Sequence, residues 1–386
     1  MLTARLQDSF FRNLDRLECG QFDLTTPDGR TRVFGGRKPG PSAALTLRDW
    51  SAVRSIVTDG DIGFAEGYQA CLWESANLQD LLSLAMVNEN VIDKFIFGSS
   101  PARMLSCLRQ LLRSNTLKGS RRNISAHYDL GNDFYSLWLD PSMTYSSALF
   151  CHPGQGLAEA QANKYDRILD HMGARSGTVL EIGCGWGGFA AHASERGDYS
   201  FKGITLSERQ REYAAGKLGG NAHIALEDYR HQQGKYDSIV SIEMFEAVGE
   251  RYWKTYFDKI AGLLKPGGRA VVQTITIADN RFERYRNSGD FIRKYIFPGG
   301  MLPSPSRFAD AAARSGLRVA DRFDFGQDYA QTLERWLGNF DARRLEVQDL
   351  GYDEGFIRMW RFYLAACIAG FRTRRTDVMQ VELHHV

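Results

Sequence analysis

Val179-Leu-Glu-Ile-Gly-Cys-Gly-Trp-Gly-Gly188 is the stretch on which the fold turns. It starts as a short apolar run, the pattern of a strand buried on both faces, passes into glycines at 183, 185 and 187, and continues into a helical pattern beginning near Phe189. Glycines at that spacing let the backbone turn tightly and pass close to a ligand where a Cβ would collide. The spacing is neither the GxGxxG of dinucleotide binders nor a phosphate-cradling P-loop, because no Gly-Lys-Ser/Thr follows.

Around this turn, helical and strand patterns alternate from about 160 to 280. The strands read as Thr178–Ile182, Phe201–Thr205, Ala222–Leu226, Tyr236–Ile242 and Gly268–Ile277. That alternation predicts an α/β fold with a doubly wound, mostly parallel sheet, in which ligands lie at the carboxyl ends of the strands. At 386 residues the chain is too long for one ordinary core. Residues 1–95 read as a small α+β domain. Leu2, Leu6, Phe10, Leu14 and Leu17 fall at helical spacing, a hairpin turns at Pro27-Asp28-Gly29, a strand follows at Ala43–Leu47, and helices follow near Trp50 and from Leu78, capped by Asn77. Residues 96–386 form the second domain.

The net charge of +2 leaves no bulk electrostatic footprint for nucleic acid. Six cysteines, at 19, 71, 107, 151, 184 and 367, lack CxxC pairs or histidines at ligand spacing, so no metal site or disulfide framework is implied. No apolar run approaches the roughly 18 residues of a spanning helix, and residues 1–20 lack a signal-peptide core, so a cytoplasmic protein is expected. Met104, Leu105, Leu108, Leu111 and Leu112 lie on one helical face among arginines at 103, 109, 113, 121 and 122. Such a helix can lie on an anionic membrane surface or simply present a solvated basic face.

The glycine turn resembles motif I of the S-adenosylmethionine (SAM)-dependent methyltransferases, with Glu181 facing the amino-acid end of SAM. Seven further segments extend the likeness: Ala126–Tyr135, Asp140-Pro-Ser-Met-Thr-Tyr-Ser146, Gly203-Ile-Thr-Leu-Ser207 with Gln210, Met244-Phe-Glu-Ala-Val-Gly249, Leu264–Gly268, Tyr295–Ser304 and Asp328–Leu333. Together and in this order they are similar to the cyclopropane fatty acid synthase family and its mycolic-acid methyltransferase relatives, over about residues 95–386.

The resemblance implies a seven-stranded SAM-methyltransferase sheet and transfer of the SAM methyl to a cis double bond in a phospholipid acyl chain. The enzyme would act on a membrane surface as a peripheral protein at its inner face, and the family-like N-terminal domain suggests a homodimer. Tyr145 and Ser146 would join Gly183, Gly185 and Gly187 around the SAM amino acid. Thr205, Leu206, Ser207 and Gln210 would border ribose and adenine, with Asp228 near the adenine amino group. An alkene is a weak nucleophile, so the pocket should be apolar and aromatic with few anionic groups. The 23 Phe, 16 Tyr and 7 Trp supply rings freely, and most of these must be core.

At the reacting centre the resemblance implies a bound bicarbonate as base, held by the residues corresponding to Ser147, Glu246, Gln273, Ile275 and Tyr329. Three positions depart from the family: Ser147 stands for a Cys, Gln273 for a His, and Ala247 for a His. Glutamine cannot pass a proton on near neutral pH, although its NH₂ can still donate to an anion, so bicarbonate binding is expected to be weakened. The product could then be a cyclopropane or a methyl- or methylene-branched chain. The alternatives are action on an already methylated chain, or lipid binding with a vestigial SAM site; the fold alone also permits a small-molecule or protein methyltransferase. His127 is expected to order the segment over the cofactor, Cys184 to pack, and Arg372–Arg375 to meet either headgroups or solvent.

Overall fold

In the computed structural model, residues 2–96, 130–173 and 175–386 are described, and they divide into two compact units. The first gathers the N-terminal residues with Asn287–Ile296 and Asp341–Arg374; the second holds the rest, including Phe297–Phe340 and Arg375–Val386. The helix 101–113, Arg121, Arg122 and His127 lie outside the described residues. Among the described residues no helix is long and apolar enough to cross a membrane.

In the first unit β1 (Cys19–Thr25), β2 (Thr31–Gly35), β3 (Lys38–Leu47) and β4 (Trp73–Glu74) form a sheet in the order β2-β1-β3-β4. The turn at Pro27-Asp28-Gly29 joins an antiparallel β1–β2 pair, as the sequence predicts. Asn77 caps the helix Leu78–Val87 by accepting from the Asp80 backbone N–H at 3.1 Å. The guanidinium of Arg358 lies 3.8 Å from the Tyr68 ring centroid, with Nε donating to the Tyr68 carbonyl at 2.6 Å. Arg372, from the basic C-terminal run, pairs with Asp80 at 3.0 Å.

The second unit is built on β5 (Ser176–Ile182), β6 (Asp198–Thr205), β7 (Ala222–Leu226), β8 (Tyr236–Ile242), β9 (Leu264–Ile277), β10 (Leu317–Asp324) and β11 (Thr376–His385). These seven strands lie in the order β10-β11-β9-β8-β5-β6-β7. The pairs from β9 to β7 are parallel, whereas β11 runs antiparallel to both its neighbours. This is the α/β architecture the alternating pattern implies.

Strand parity places the chemistry. Leu180, Ile239, Ala270, Val272, Met379 and Val381 pack on one face of the sheet, whereas Val179, Val240 and Val271 pack on the other. On that second face the helix Leu157–His171 buries Ala160, Gln161, Lys164, Tyr165, Ile168 and Leu169, an i, i+4, i+8 stripe that includes two polar side chains. Glu181, Gln273 and Gln380 share the parity of Val179 and Val271, so three polar side chains are aimed toward Lys164.

Candidate active site

The turn after β5 is shaped by Gly183, Gly185 and Gly187, whose φ angles of +82°, +52° and +75° favour glycine. Backbone N–H groups of Gly183 and Cys184 both donate to the carbonyl of Ile204, at 2.9 and 3.0 Å, which pins the turn to the end of β6. A Cβ on Gly188 would come within 2.8 Å of the Tyr165 hydroxyl and 2.9 Å of Thr144 Oγ1, so the following helix can start only with glycine this close to its neighbours. Cys184 is buried, and burial pushes its thiol pKa well up, so it packs and does not act as a nucleophile.

Glu181 is 2% exposed, and its Oε2 has no hydrogen-bond partner among the described residues. Desolvation raises its pKa to about 8, partly offset by the charge of Lys164. A buried carboxyl with an open oxygen beside a glycine turn fits the α-ammonium of SAM. At the end of β6, Thr205 Oγ1 donates to Gln210 Oε1 at 2.8 Å, and Ser207 caps the helix Glu208–Leu218 by accepting from the Gln210 N–H at 3.3 Å. Leu206 is half-buried between them. Asp228 is 8% exposed, but its carboxylate already accepts from the backbone N–H of Arg230 at 2.9 Å, from Nε at 2.8 Å and from a terminal guanidinium nitrogen at 2.6 Å. Contact with an adenine amino group there would have to share these oxygens with Arg230.

Asp140 anchors the loop that carries Tyr145, Ser146 and Ser147, accepting from the Ser142 N–H at 2.9 Å and the Thr144 N–H at 3.4 Å. The Tyr145 ring lies 5.4 Å from Tyr135, 5.5 Å from Trp138 and 5.3 Å from Trp336, with Tyr135 in turn 5.0 Å from Trp186. Tyr145 thus sits in a cluster of aromatic rings. Ser146 accepts at Oγ from Lys164 Nζ at 2.7 Å and at its carbonyl from Gln161 Nε2 at 2.9 Å. Lys164 is wholly buried; desolvation lowers its pKa to about 7 against the pull of Glu243, Asp140 and Glu181.

Ser147, Gln273 and Tyr329 converge on one group, and that group is Glu243. Its Oε1 accepts from the Ser147 N–H at 2.8 Å and from Gln273 Nε2 at 2.7 Å, and its Oε2 accepts from the Tyr329 hydroxyl at 2.5 Å. The Ser147 hydroxyl points elsewhere, donating to the Ala148 carbonyl at 3.0 Å. Gln273 Oε1 accepts from Gln380 Nε2 at 3.0 Å, its partner in the β9–β11 register, so its NH₂ end is directed at Glu243. Glu243 itself holds φ +49°, a left-handed backbone uncommon for a residue with a Cβ.

Glu246 stands one turn further on. Its Oε1 accepts the Ile275 N–H, and its Oε2 is shielded from solvent with no partner among the described residues. Desolvation, reinforced by the charge of Glu243, raises its pKa to about 8. Desolvation also raises the pKa of Glu243, but Tyr329, Ser147, Lys164 and Gln273 all favour its ionised form. At neutral pH Glu246 therefore keeps its proton, whereas burial raises Glu243 against four neighbours that favour its ionised form.

Two features differ from the sequence expectations. The pocket with few anionic groups contains three carboxyls, kept low in charge because Glu181 and Glu246 hold their protons. The donors assigned to bicarbonate at Ser147, Gln273 and Tyr329 already serve Glu243, so a free bicarbonate does not fit that set as it stands. Lys164, Glu243 and Gln380 are not among the residues the sequence marks for the site. The available signal is a second glutamate three residues before Glu246 in a chain that has glutamine where an imidazole is usual.

The family model described as mycolic acid cyclopropane synthetase matches residues 115–381. A tuberculostearic acid methyltransferase of Mycobacterium tuberculosis is 40% identical over 362 residues, covering 90% of this chain and 84% of that protein. The cyclopropane-fatty-acyl-phospholipid synthase of Escherichia coli K12 is 34% identical over 345 residues, covering 88% and 87%. A crystal structure of mycolic acid cyclopropane synthase CmaA1 complexed with SAH and CTAB superposes with a TM-score of 0.64 at 31% identity, covering 68% of this chain and 97% of that one. The chain thus belongs to the mycolic acid cyclopropane synthetase family and is an enzyme of the SAM-dependent cyclopropane-fatty-acyl-phospholipid synthase type.

Proposed function

We propose that the enzyme transfers the methyl of SAM to the cis double bond of an unsaturated acyl chain carried by a membrane phospholipid, leaving a ring or a one-carbon branch. The observation that carries this reading is the pairing of an open buried carboxyl, Glu181 beside the glycine turn, with an aromatic wall built on Tyr145. SAM supplies an electrophilic methyl and takes away the sulfur–carbon bonding pair as a neutral thioether. The chain's own part is to hold the ammonium at Glu181, to shape the turn with Gly183, Gly185 and Gly187, and to border the nucleoside with Thr205, Leu206, Ser207 and Gln210. Ring faces around Tyr145 stabilise positive charge without forming a bond to it.

Of the two products, a branch is favoured by the name of the relative at 40% identity, which denotes methyl transfer and not ring formation. Without added electrons the branch leaves as an exo-methylene, and saturating it needs a hydride donor from a separate reduction. Phospholipid as carrier and the membrane surface as workplace are supported by the name of the relative at 34% identity. Incubation with SAM and cis-unsaturated phospholipid, read by lipid mass spectrometry, should show a gain of one CH₂ per acyl chain. Mild catalytic hydrogenation of that product then separates an exo-methylene, which takes up hydrogen, from a ring, which resists. No SAM-dependent gain on any unsaturated phospholipid would overturn the reading.

A further inference from the structure

We infer that Glu243 is the enzyme's built-in general base, a tethered carboxylate that takes the place of the bicarbonate expected from the resemblance. Three donors of three kinds, the Ser147 backbone N–H, the Gln273 amide and the Tyr329 hydroxyl, close on its two oxygens at 2.5 to 2.8 Å. They come from separate parts of the chain: the loop after Asp140, strand β9 and the helix Gly326–Ala342. Such a convergence is an anion site, and here the anion is covalently part of the protein. The left-handed backbone at Glu243 points the same way, because non-glycine residues keep such conformations where the surroundings over-determine them, commonly at functional sites. Gln380, holding the far end of the Gln273 amide, is a positioning residue for the same group.

The inference rests on the methyl-transfer reading for its chemistry. Methyl addition joins one alkene carbon to the incoming methyl and leaves a cation on the other. The carboxylate of Glu243 removes a single proton from that cation. If the proton comes from the new methyl directly, the freed C–H pair closes a cyclopropane. If a hydride first shifts from the methyl-bearing carbon to the cationic one, loss of the methyl proton leaves the pair as an exo-methylene double bond. In both cases the glutamic acid returns its proton to solvent and no oxidant or reductant is consumed. Gln273 serves this role better than histidine would: it donates to the carboxylate while carrying no titratable proton to compete.

The test compares the unaltered chain, Glu243→Gln and Glu243→Gly in carbon-dioxide-free buffer with and without added bicarbonate. Binding of ¹³C-labelled bicarbonate is followed by NMR line width, and SAM binding by calorimetry. The unaltered chain should turn over equally in both buffers and leave the ¹³C signal sharp. Glu243→Gln should lose about 100-fold or more in turnover, the scale of a removed general base, while SAM affinity stays within about threefold. Glu243→Gly should lose as much, bind labelled bicarbonate, and recover about tenfold or more when bicarbonate is supplied. The inference is overturned if the unaltered chain is stimulated by bicarbonate and broadens its signal, or if Glu243→Gln keeps most of its turnover. The buffer comparison on the unaltered chain needs no variant to fold. Should no lipid give product at all, the methyl-transfer reading fails, whereas labelled bicarbonate bound by Glu243→Gly and refused by the unaltered chain still upholds the tethered anion.

Discussion

Two carboxyls stand near the carboxyl ends of the neighbouring strands β5 and β8, and they are treated in opposite ways. Glu181 is buried with one oxygen unmatched and its pKa raised to about 8; Glu243 is half-buried and its oxygens receive three donors. An unmatched buried oxygen costs free energy until a cation arrives, so Glu181 is poised to bind. A carboxyl that receives three donors is already held in one orientation, and those donors favour its ionised form, so Glu243 is poised to react. The same functional group thus serves recognition on one side of the site and chemistry on the other, and the supply of donors decides which.

Four substitutions and a pH series can break or sharpen that contrast. Removing the Tyr329 hydroxyl as Tyr329→Phe takes one charge-assisted bond from Glu243, so turnover should fall by about 100-fold with SAM affinity unchanged. A comparable fall in SAM affinity would erase the distinction. Glu181→Gln should weaken SAM binding by about 10- to 50-fold. For the unaltered chain the sign is fixed by the raised pKa: Glu181 must give up its proton to meet an ammonium, so affinity climbs with pH toward about 8 and falls again above it, where the ligand's own amino group loses its charge. Calorimetry in buffers of different ionisation enthalpy should detect the released proton, and Glu181→Gln should abolish both the slope and the release.

Gln380→Leu frees the far end of the Gln273 amide, and turnover should drop about tenfold, on the low side of what losing an orienting partner costs. The mildest change is Ser147→Ala, since that residue offers Glu243 its backbone alone. Turnover should stay within about threefold, and a larger loss would mean that the hydroxyl, not the main chain, serves the site.

The legibility of the molecule from its residues follows the same divide. The five strands from β5 to β9, the glycine turn and the Asn77 cap were readable because each rests on local periodicity or backbone geometry. Strands β10 and β11 are not legible: β11 is buried on both faces, so alternation is absent, and its exposed neighbour β10 carries charge at half of its positions. Ser147, Gln273 and Tyr329 are legible as site residues, but the carboxylate on which they converge is not, because it lies 96, 30 and 86 residues from them in the chain. Lys164 was hidden for another reason: lysine in a helix reads as a solvated face, and only the tertiary structure shows it buried against Ser146. Arg372 of the basic C-terminal run pairs with Asp80, 292 residues earlier, an ion pair that a charge count cannot distinguish from a lipid contact.

The backbone at Glu243 has one more consequence. A left-handed torsion is where glycine rests without penalty, and glutamate and glycine codons differ by a single base. An ancestor could therefore have moved between borrowing its anion from dissolved inorganic carbon and carrying its own in one mutational step. The lineage that carries it gains a rate indifferent to the carbon dioxide level of its surroundings.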